Sequence, residues 1–279
     1  MENVGWRYYN GALLPSNPPH VQINTDAIDR KQFWNCVCVG GGKKPLLARW
    51  TSNWDCKQET NWWYVIKDEP FNINLLKAKR RYEINKGNKN FEIYEINPVE
   101  YKKQIYRIQE AAYSKYPEKY RPTVNRENLF EEIDKWTFYK FYGAFNIESK
   151  QLAGYALLNR KENYISYAVQ KVMPQYESLA INAALVNKVL IDHKEFLEND
   201  GYICDGARNI LHETRFQDYL EKYFGFRKAY CKLHVQYRPI IKFLVNILFP
   251  FRKYLYNLDN YSFIHKINGI MKMEEIVRS

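Results

Sequence analysis

The chain has 279 residues, 46% of them hydrophobic and 26% charged, with a formal net charge of +11. A chain of this size buries about three-quarters of its unfolded surface, and the composition excludes a largely disordered protein. The longest apolar run, Ile240 to Phe251, is interrupted by Lys242, Asn246 and Pro250 and falls short of the ~20 residues of a bilayer-spanning helix, while the opening residues lack the order of a secretory signal.

These features predict a cytoplasmic protein. Five cysteines (Cys36, Cys38, Cys56, Cys204 and Cys231) form an odd set that reads as reduced thiols. Cys36-x-Cys38 has no second pair at zinc-ligand spacing, so no metal is expected. The positive balance points to an anionic partner, and it concentrates in two stretches. Residues 77–89 carry Lys77, Lys79, Arg80, Arg81, Lys86 and Lys89 against Glu83 alone; Lys222 to Leu258 carries eight Lys or Arg and no acid.

In chain order, Leu13-Leu14-Pro15 and Pro18-Pro19 read as a loop-bound entry. Phe33–Val39 and Pro45–Trp50 read as a hairpin across Gly40-Gly41-Gly42, and Trp62–Ile66 as a further strand. The glycine run is followed by Lys43-Lys44 but lacks the spacing of a phosphate loop. Residues 71–90 predict a helix stopped by Gly87, and Phe91–Ile96 a strand. Helices follow over Tyr101–Tyr113 and Arg126–Trp136. Thr137–Ile147 and Gln151–Asn159 predict a hairpin turning at Glu148–Lys150, with Tyr164–Val172 as the next strand. Pro174 ends it. Glu177–Glu198 reads as one long amphipathic helix, Gly201–Asp205 as a short buried strand and Glu213–Tyr223 as a helix closed by Gly225. Phe226–Tyr237 is one long strand or a pair. This order is that of an open mixed α/β sheet with helices on both faces.

The order, with a hairpin in the middle and a long helix after its third strand, resembles the GNAT N-acyltransferase fold over residues ~90–236. Asp205-Gly206-Ala207-Arg208, Thr214-Arg215-Phe216-Gln217 and Tyr223-Phe224-Gly225-Phe226 resemble the Asp-Phe-Gly-Arg, Gly-Thr-x-Phe-Lys and Phe-Gly series of Fem-type peptidyltransferases. Lys79 to Gly87 resembles the Arg-x-x-Ile-x-Lys helix ahead of that family's core. The chain also resembles acyltransferase-like proteins encoded with bacterial surface-polysaccharide genes. The resemblance implies transfer of an acyl or aminoacyl group to an amine, such as an amino sugar in glycan assembly. The donor would be acyl-CoA or aminoacyl-tRNA. Two departures stand out: Val172 to Ala180 holds no glycine where a GNAT pyrophosphate loop belongs, and Gln217 replaces the Fem-type lysine.

Acyl transfer requires a group to receive the amine proton and donors for the developing oxyanion. Asp205 at a strand end is a candidate to orient the amine, unless it pairs with Arg208. His212 and Glu213 open a helix, where negative charge is favoured, although acids are common in first turns. Arg80, Arg81 and Lys86 are candidate phosphate contacts or a solvated helix face. Thr214 and Gln217 belong to the Fem-like motif, and Tyr155 and Tyr167 are proton relays or core aromatics. Residues 1–90 are expected as a β-rich segment with a basic helix, 91–237 as the acyltransferase domain and 238–279 as an amphipathic helical tail. Ile240, Ile241, Phe243, Leu244, Ile247 and Leu248, flanked by Arg238, Lys242, Arg252 and Lys253, suit the inner membrane surface, domain packing or a dimer contact. A rival reading is a non-catalytic basic module for nucleic acid or membrane.

Overall fold

The computed structural model describes residues 5–26, 28, 33–34, 44–116, 118, 121–210 and 215–279. They form two compact units, each discontinuous in sequence: residues 1–64, 207–214 and 228–279 in the first, 65–206 and 215–227 in the second. Residues 65–90, grouped above with the N-terminal segment, fall in the second unit; residues 228–237, grouped with the core, fall in the first.

The first unit is built on a four-stranded sheet. Strands β1 (Trp6–Tyr9) and β2 (Ala12–Pro15) form an antiparallel hairpin. Asn10 and Gly11 both take positive φ, 46° and 84°, which a tight hairpin turn demands. β3 (Leu47–Ser52) runs parallel to β2, and β11 (Lys232–Tyr237) closes the order β1-β2-β3-β11 antiparallel to β3. Because side chains alternate, both faces are covered. Leu13 and Ala48 pack with Ile28, Phe33 and Trp34, while Leu47, Leu233 and Tyr237 pack with Trp62, Val245, Met271 and Met273. The latter face carries helices α7 (Pro239–Leu248), α8 (Arg252–Asn257) and α9 (Ser262–Arg278).

Two expectations are corrected here, and one open alternative is decided. Leu13–Pro15 is a strand, because Asn-Gly supplies the turn that pairs it with Trp6–Tyr9. Phe33 and Trp34 are helical and buried, and Trp34 Nε1 donates to the Ile28 carbonyl at 3.0 Å. The remainder of the expected first strand of that hairpin lies outside the described residues. Tyr230 and Lys232 belong to different strands, so Phe226–Tyr237 is a pair: β10 (Arg227–Tyr230) and β11.

The sheet of the second unit runs in the order β4-β9-β8-β7-β6-β5: β4 (Trp63–Lys67), β5 (Phe91–Glu95), β6 (Tyr139–Asn146), β7 (Leu152–Lys161), β8 (Tyr164–Val172) and β9 (Tyr202–Ala207). β5 through β8 are antiparallel neighbours; β9 runs parallel to β8, with Ser166 opposite Cys204. The mixed α/β class is therefore as the element order implied.

Within the second unit, helices cover both faces of this sheet. Ile105 and Ile108 of α2 (Lys102–Ser114) and Leu129 and Ile133 of α3 (Arg126–Asp134) pack on Phe141, Phe145, Tyr155 and Leu157. On the other face lie α1 (Ala78–Asn90) and α4 (Ile181–Asp192). Gly87 does not stop α1; it sits inside the helix where α1 meets α4. A Cβ there would lie 2.6 Å from the Ala180 carbonyl oxygen and 2.8 Å from the Ala184 Cβ, so only glycine permits this approach.

The expected long helix is also broken. A 3-10 turn over Pro174–Leu179 ends at Ala180, which is left-handed at φ 64°, before α4 begins. α4 ends at His193, and α5 (Lys194–Glu198) follows. His193 is buried, and its Nδ1 bonds the Val189 carbonyl at 2.8 Å.

Candidate functional site

The second unit gathers a polar group inside an aromatic frame. Asp205 stands on β9, after the buried run Tyr202-Ile203-Cys204. Gln217, on the first turns of α6 (Arg215–Phe224), is buried and hydrogen-bonds the Asp205 carboxyl. Burial pushes the carboxyl up to about 7, and the Gln217 bond pulls in the opposite direction without cancelling it. The result is an acid that exchanges its proton near neutrality.

Tyr167 on β8 is buried, and its hydroxyl is pushed well above the usual phenol range, first by burial and then by the Asp205 charge. It stays protonated and donates to Gln170 Oε1; Gln170 Nε2 in turn donates to Asn182 Oδ1 at 2.7 Å. A hydrogen-bonded chain thus runs from Tyr167 to the first turn of α4. The Tyr167 ring meets Phe216 at 6.0 Å between centroids, which ties β8 to α6.

α6 also anchors α1. The Arg80 guanidinium lies 3.3 Å from the Tyr223 ring centroid and 5.9 Å from that of Tyr219, and it pairs with Glu83. Stacking of this kind suits the planar guanidinium. Burial raises the Tyr219 hydroxyl as well. Arg80 is thus engaged as a brace between α1 and α6 rather than extended as an open phosphate contact.

The other sequence-predicted residues divide as follows. Arg81 Nη1 donates to the Leu76 carbonyl at 2.6 Å and holds the segment leading into α1. Lys86 accepts on its backbone carbonyl from Asn90 Nδ2 at 2.7 Å, inside the same helix. Tyr155 is fully buried, stacks on Phe141 at 4.8 Å, and accepts a 2.9 Å hydrogen bond from Gln109. Arg208 belongs to the first unit, where its Nη1 donates to the Asn61 carbonyl at 2.6 Å and its guanidinium lies 4.6 Å from the Trp63 ring. His212, Glu213 and Thr214 lie outside the described residues.

Sequence reading missed Gln170 and Asn182, polar residues on buried elements whose partners are distant in sequence. It also missed Lys67, which ends β4 as a buried lysine whose pKa is lowered by desolvation, against the opposing pull of Glu69 and Asp68. A charged residue closing an apolar strand reads as solvated, so only the fold reveals it. Cys56, Cys204 and Cys231 form no disulfide, and among the described residues no cluster of His, Cys, Asp and Glu is arranged to hold a metal ion. Two cavities, of about 490 and 520 Å³, lie in the first unit, and Asp205 lines neither.

No protein-family model matches the chain, and no curated protein matches it in sequence. Among solved structures it is similar to L-PGS from Bacillus licheniformis at 13% identity and a TM-score of 0.44, over 84% of this chain and 68% of that one. It is similar to FemX at 8% identity and a TM-score of 0.48, over 67% of this chain and 63% of that one. A GNAT-family acetyltransferase from Staphylococcus aureus Mu50 is 20% identical with a TM-score of 0.36, over 47% of this chain and 82% of that one. These are distant likenesses of backbone outline.

Proposed function

We propose that the second unit is the core of an N-acyltransferase in which Asp205 takes the proton of the acceptor amine. The observation that carries this reading is the Asp205 carboxyl, raised by burial to about 7 and held by the Gln217 amide. A base of that strength is partly ionised at neutral pH and still able to accept a proton from an amine as it attacks.

The reaction follows from these groups. The amine nitrogen bonds the acyl carbon, and the bond from that carbon to its carrier breaks: C–S in a thioester, C–O in an aminoacyl ester. The proton lost by nitrogen passes to Asp205, and the departing thiolate or ribose alkoxide takes a proton in exchange. The amide of Gln217 keeps the carboxyl oriented through this cycle.

For the donor, we favour an aminoacyl ester over acyl-CoA. In place of a glycine-rich pyrophosphate loop the chain has the Pro174–Leu179 turn and a left-handed alanine, and Gly87 of α1 is packed against Ala180 and Ala184 at the start of α4. Little backbone is left open there for a pyrophosphate. The acceptor in this reading is a polar amine such as an amino sugar of a surface glycan, which rests on the sequence resemblance.

Calorimetric titration with coenzyme A, acetyl-CoA and charged tRNA tests the donor. The reading expects no coenzyme A binding up to about millimolar concentration, a weak ~4 kcal/mol limit, together with binding of charged tRNA. Micromolar coenzyme A binding would reverse the choice of donor. An Asp205→Ala variant with unchanged transfer to any accepted amine would remove Asp205 from the reaction.

A further inference from the structure

We infer that the first unit docks on an anionic lipid surface through α7, α8 and the turn between them. α7, Pro239–Leu248, is apolar nearly all round, with Lys242 and Asn246 the polar residues of its sequence. A helix of this kind normally has both faces covered. One face of α7 is: Ile241, Val245 and Leu248 pack on the cluster that contains Leu233, Tyr237 and Met271.

The other face is open. Ile240 is 66% exposed and Phe243 64%, and Leu244 and Ile247 continue the stripe. It runs on through the 3-10 turn Phe249–Phe251 into α8, where Phe251 is 62% and Tyr254 67% exposed. The spacings 240, 243, 244, 247, 251 and 254 keep these six side chains on one side of a continuous helical path.

Charge selects the occupant. Lys242 and Lys253 are exposed and fall within the same segment of chain as the stripe, Arg238 immediately precedes it, and no acidic residue occurs from Lys222 to Leu258. Arg252 is turned to Glu275, and Glu274 is taken up by Arg278, so the nearest carboxylates of α9 are neutralised within the unit. A second copy packed two-fold on the same patch would bring Arg238, Lys242 and Lys253 against themselves with no acid between them. An anionic headgroup layer satisfies both features: the apolar side chains enter the acyl boundary and the cations meet the headgroups. No described helix is long and apolar enough to cross a membrane, so the contact is interfacial.

Co-sedimentation of the full chain with vesicles tests this. Binding is expected to phosphatidylcholine vesicles containing about 30% phosphatidylglycerol, at least tenfold stronger than to phosphatidylcholine alone, and reduced severalfold on raising salt from about 0.1 to 0.5 M. F243E/I247E is expected to lose at least tenfold in partitioning with an unchanged thermal transition, since both side chains face solvent. K242E/K253E, which keeps the apolar stripe, is expected to lose the preference for phosphatidylglycerol. Asp205→Asn is expected to bind like wild type, which separates this inference from the acyl-transfer reading. Absence of binding to either vesicle, binding indifferent to phosphatidylglycerol, or a concentration-dependent dimer that F243E/I247E abolishes would each overturn it.

Discussion

Gln217 hydrogen-bonds the carboxyl of Asp205 from a position twelve residues later, on the first turns of α6, and the two are the polar centre of the second unit. The Fem-type motif places lysine where this chain has Gln217. A lysine there would put a cation against the carboxylate and pull it down by about 1–3 units. Gln217→Lys is therefore expected to lower the Asp205 pKa well below 7, and Gln217→Leu to raise it further by deleting the bond. Titrating both variants by NMR of the carboxyl carbon checks the two opposite shifts; equal values in both would detach Gln217 from Asp205.

The raised carboxyl pKa also sets a stability signature. The folded-state value lies above the unfolded one, so between about 4 and 7 the folded protein holds a proton that the unfolded chain has released. This group's contribution to stability consequently falls as pH rises through that window and stays lost above about 7. Asp205→Asn, which cannot ionise, is expected to gain on wild type by on the order of 1–3 kcal/mol between pH 5 and 8, while losing about 10²- to 10⁴-fold in transfer rate. Urea unfolding of both proteins across pH measures the first effect. A pH-independent difference would contradict it.

Gly87 tests the close packing of α1 on α4. Gly87→Ala drives a Cβ to 2.6 Å from a backbone carbonyl, and a carbonyl cannot rotate away as a side-chain tip does. Alanine normally favours a helix over glycine, yet here a loss of at least ~1–3 kcal/mol is expected. A rise in the thermal midpoint would mean that the two helices are further apart.

Tyr155 separates core from chemistry. Tyr155→Phe removes the acceptor of the Gln109 amide and is expected to cost about 1 kcal/mol without changing transfer rate. A loss of rate with stability intact would make Tyr155 a proton relay after all.

Much of the fold was legible because its signals are local. The near-continuous apolar runs of Tyr139–Asn146 and Leu152–Lys161 and the turn between them required no distant partner to be recognised. The breaks were not legible. Ala180 takes a left-handed conformation that alanine disfavours, and nothing near it in sequence announces that; its carbonyl packs against Gly87, some ninety residues earlier. The Asn10-Gly11 turn is a local signal, but Pro15, Pro18 and Pro19 downstream of it read as a loop. At the site, Asp205 and Gln217 were found through motif resemblance, while the chain from buried Tyr167 through half-buried Gln170 and Asn182 depends on side chains meeting across two elements. Arg80 read as a free cation because its aromatic partners are on α6, far along the chain.

The most direct test of the central claim is the proton affinity of one carboxyl. NMR titration of carboxyl carbons from pH 4 to 9, with Asp205→Asn as the assignment control, is expected to place Asp205 at about 7. A value near the ordinary ~4 of an exposed aspartate would leave it fully ionised and too weak a base at neutral pH, and would remove the proton acceptor on which the acyl-transfer reading rests.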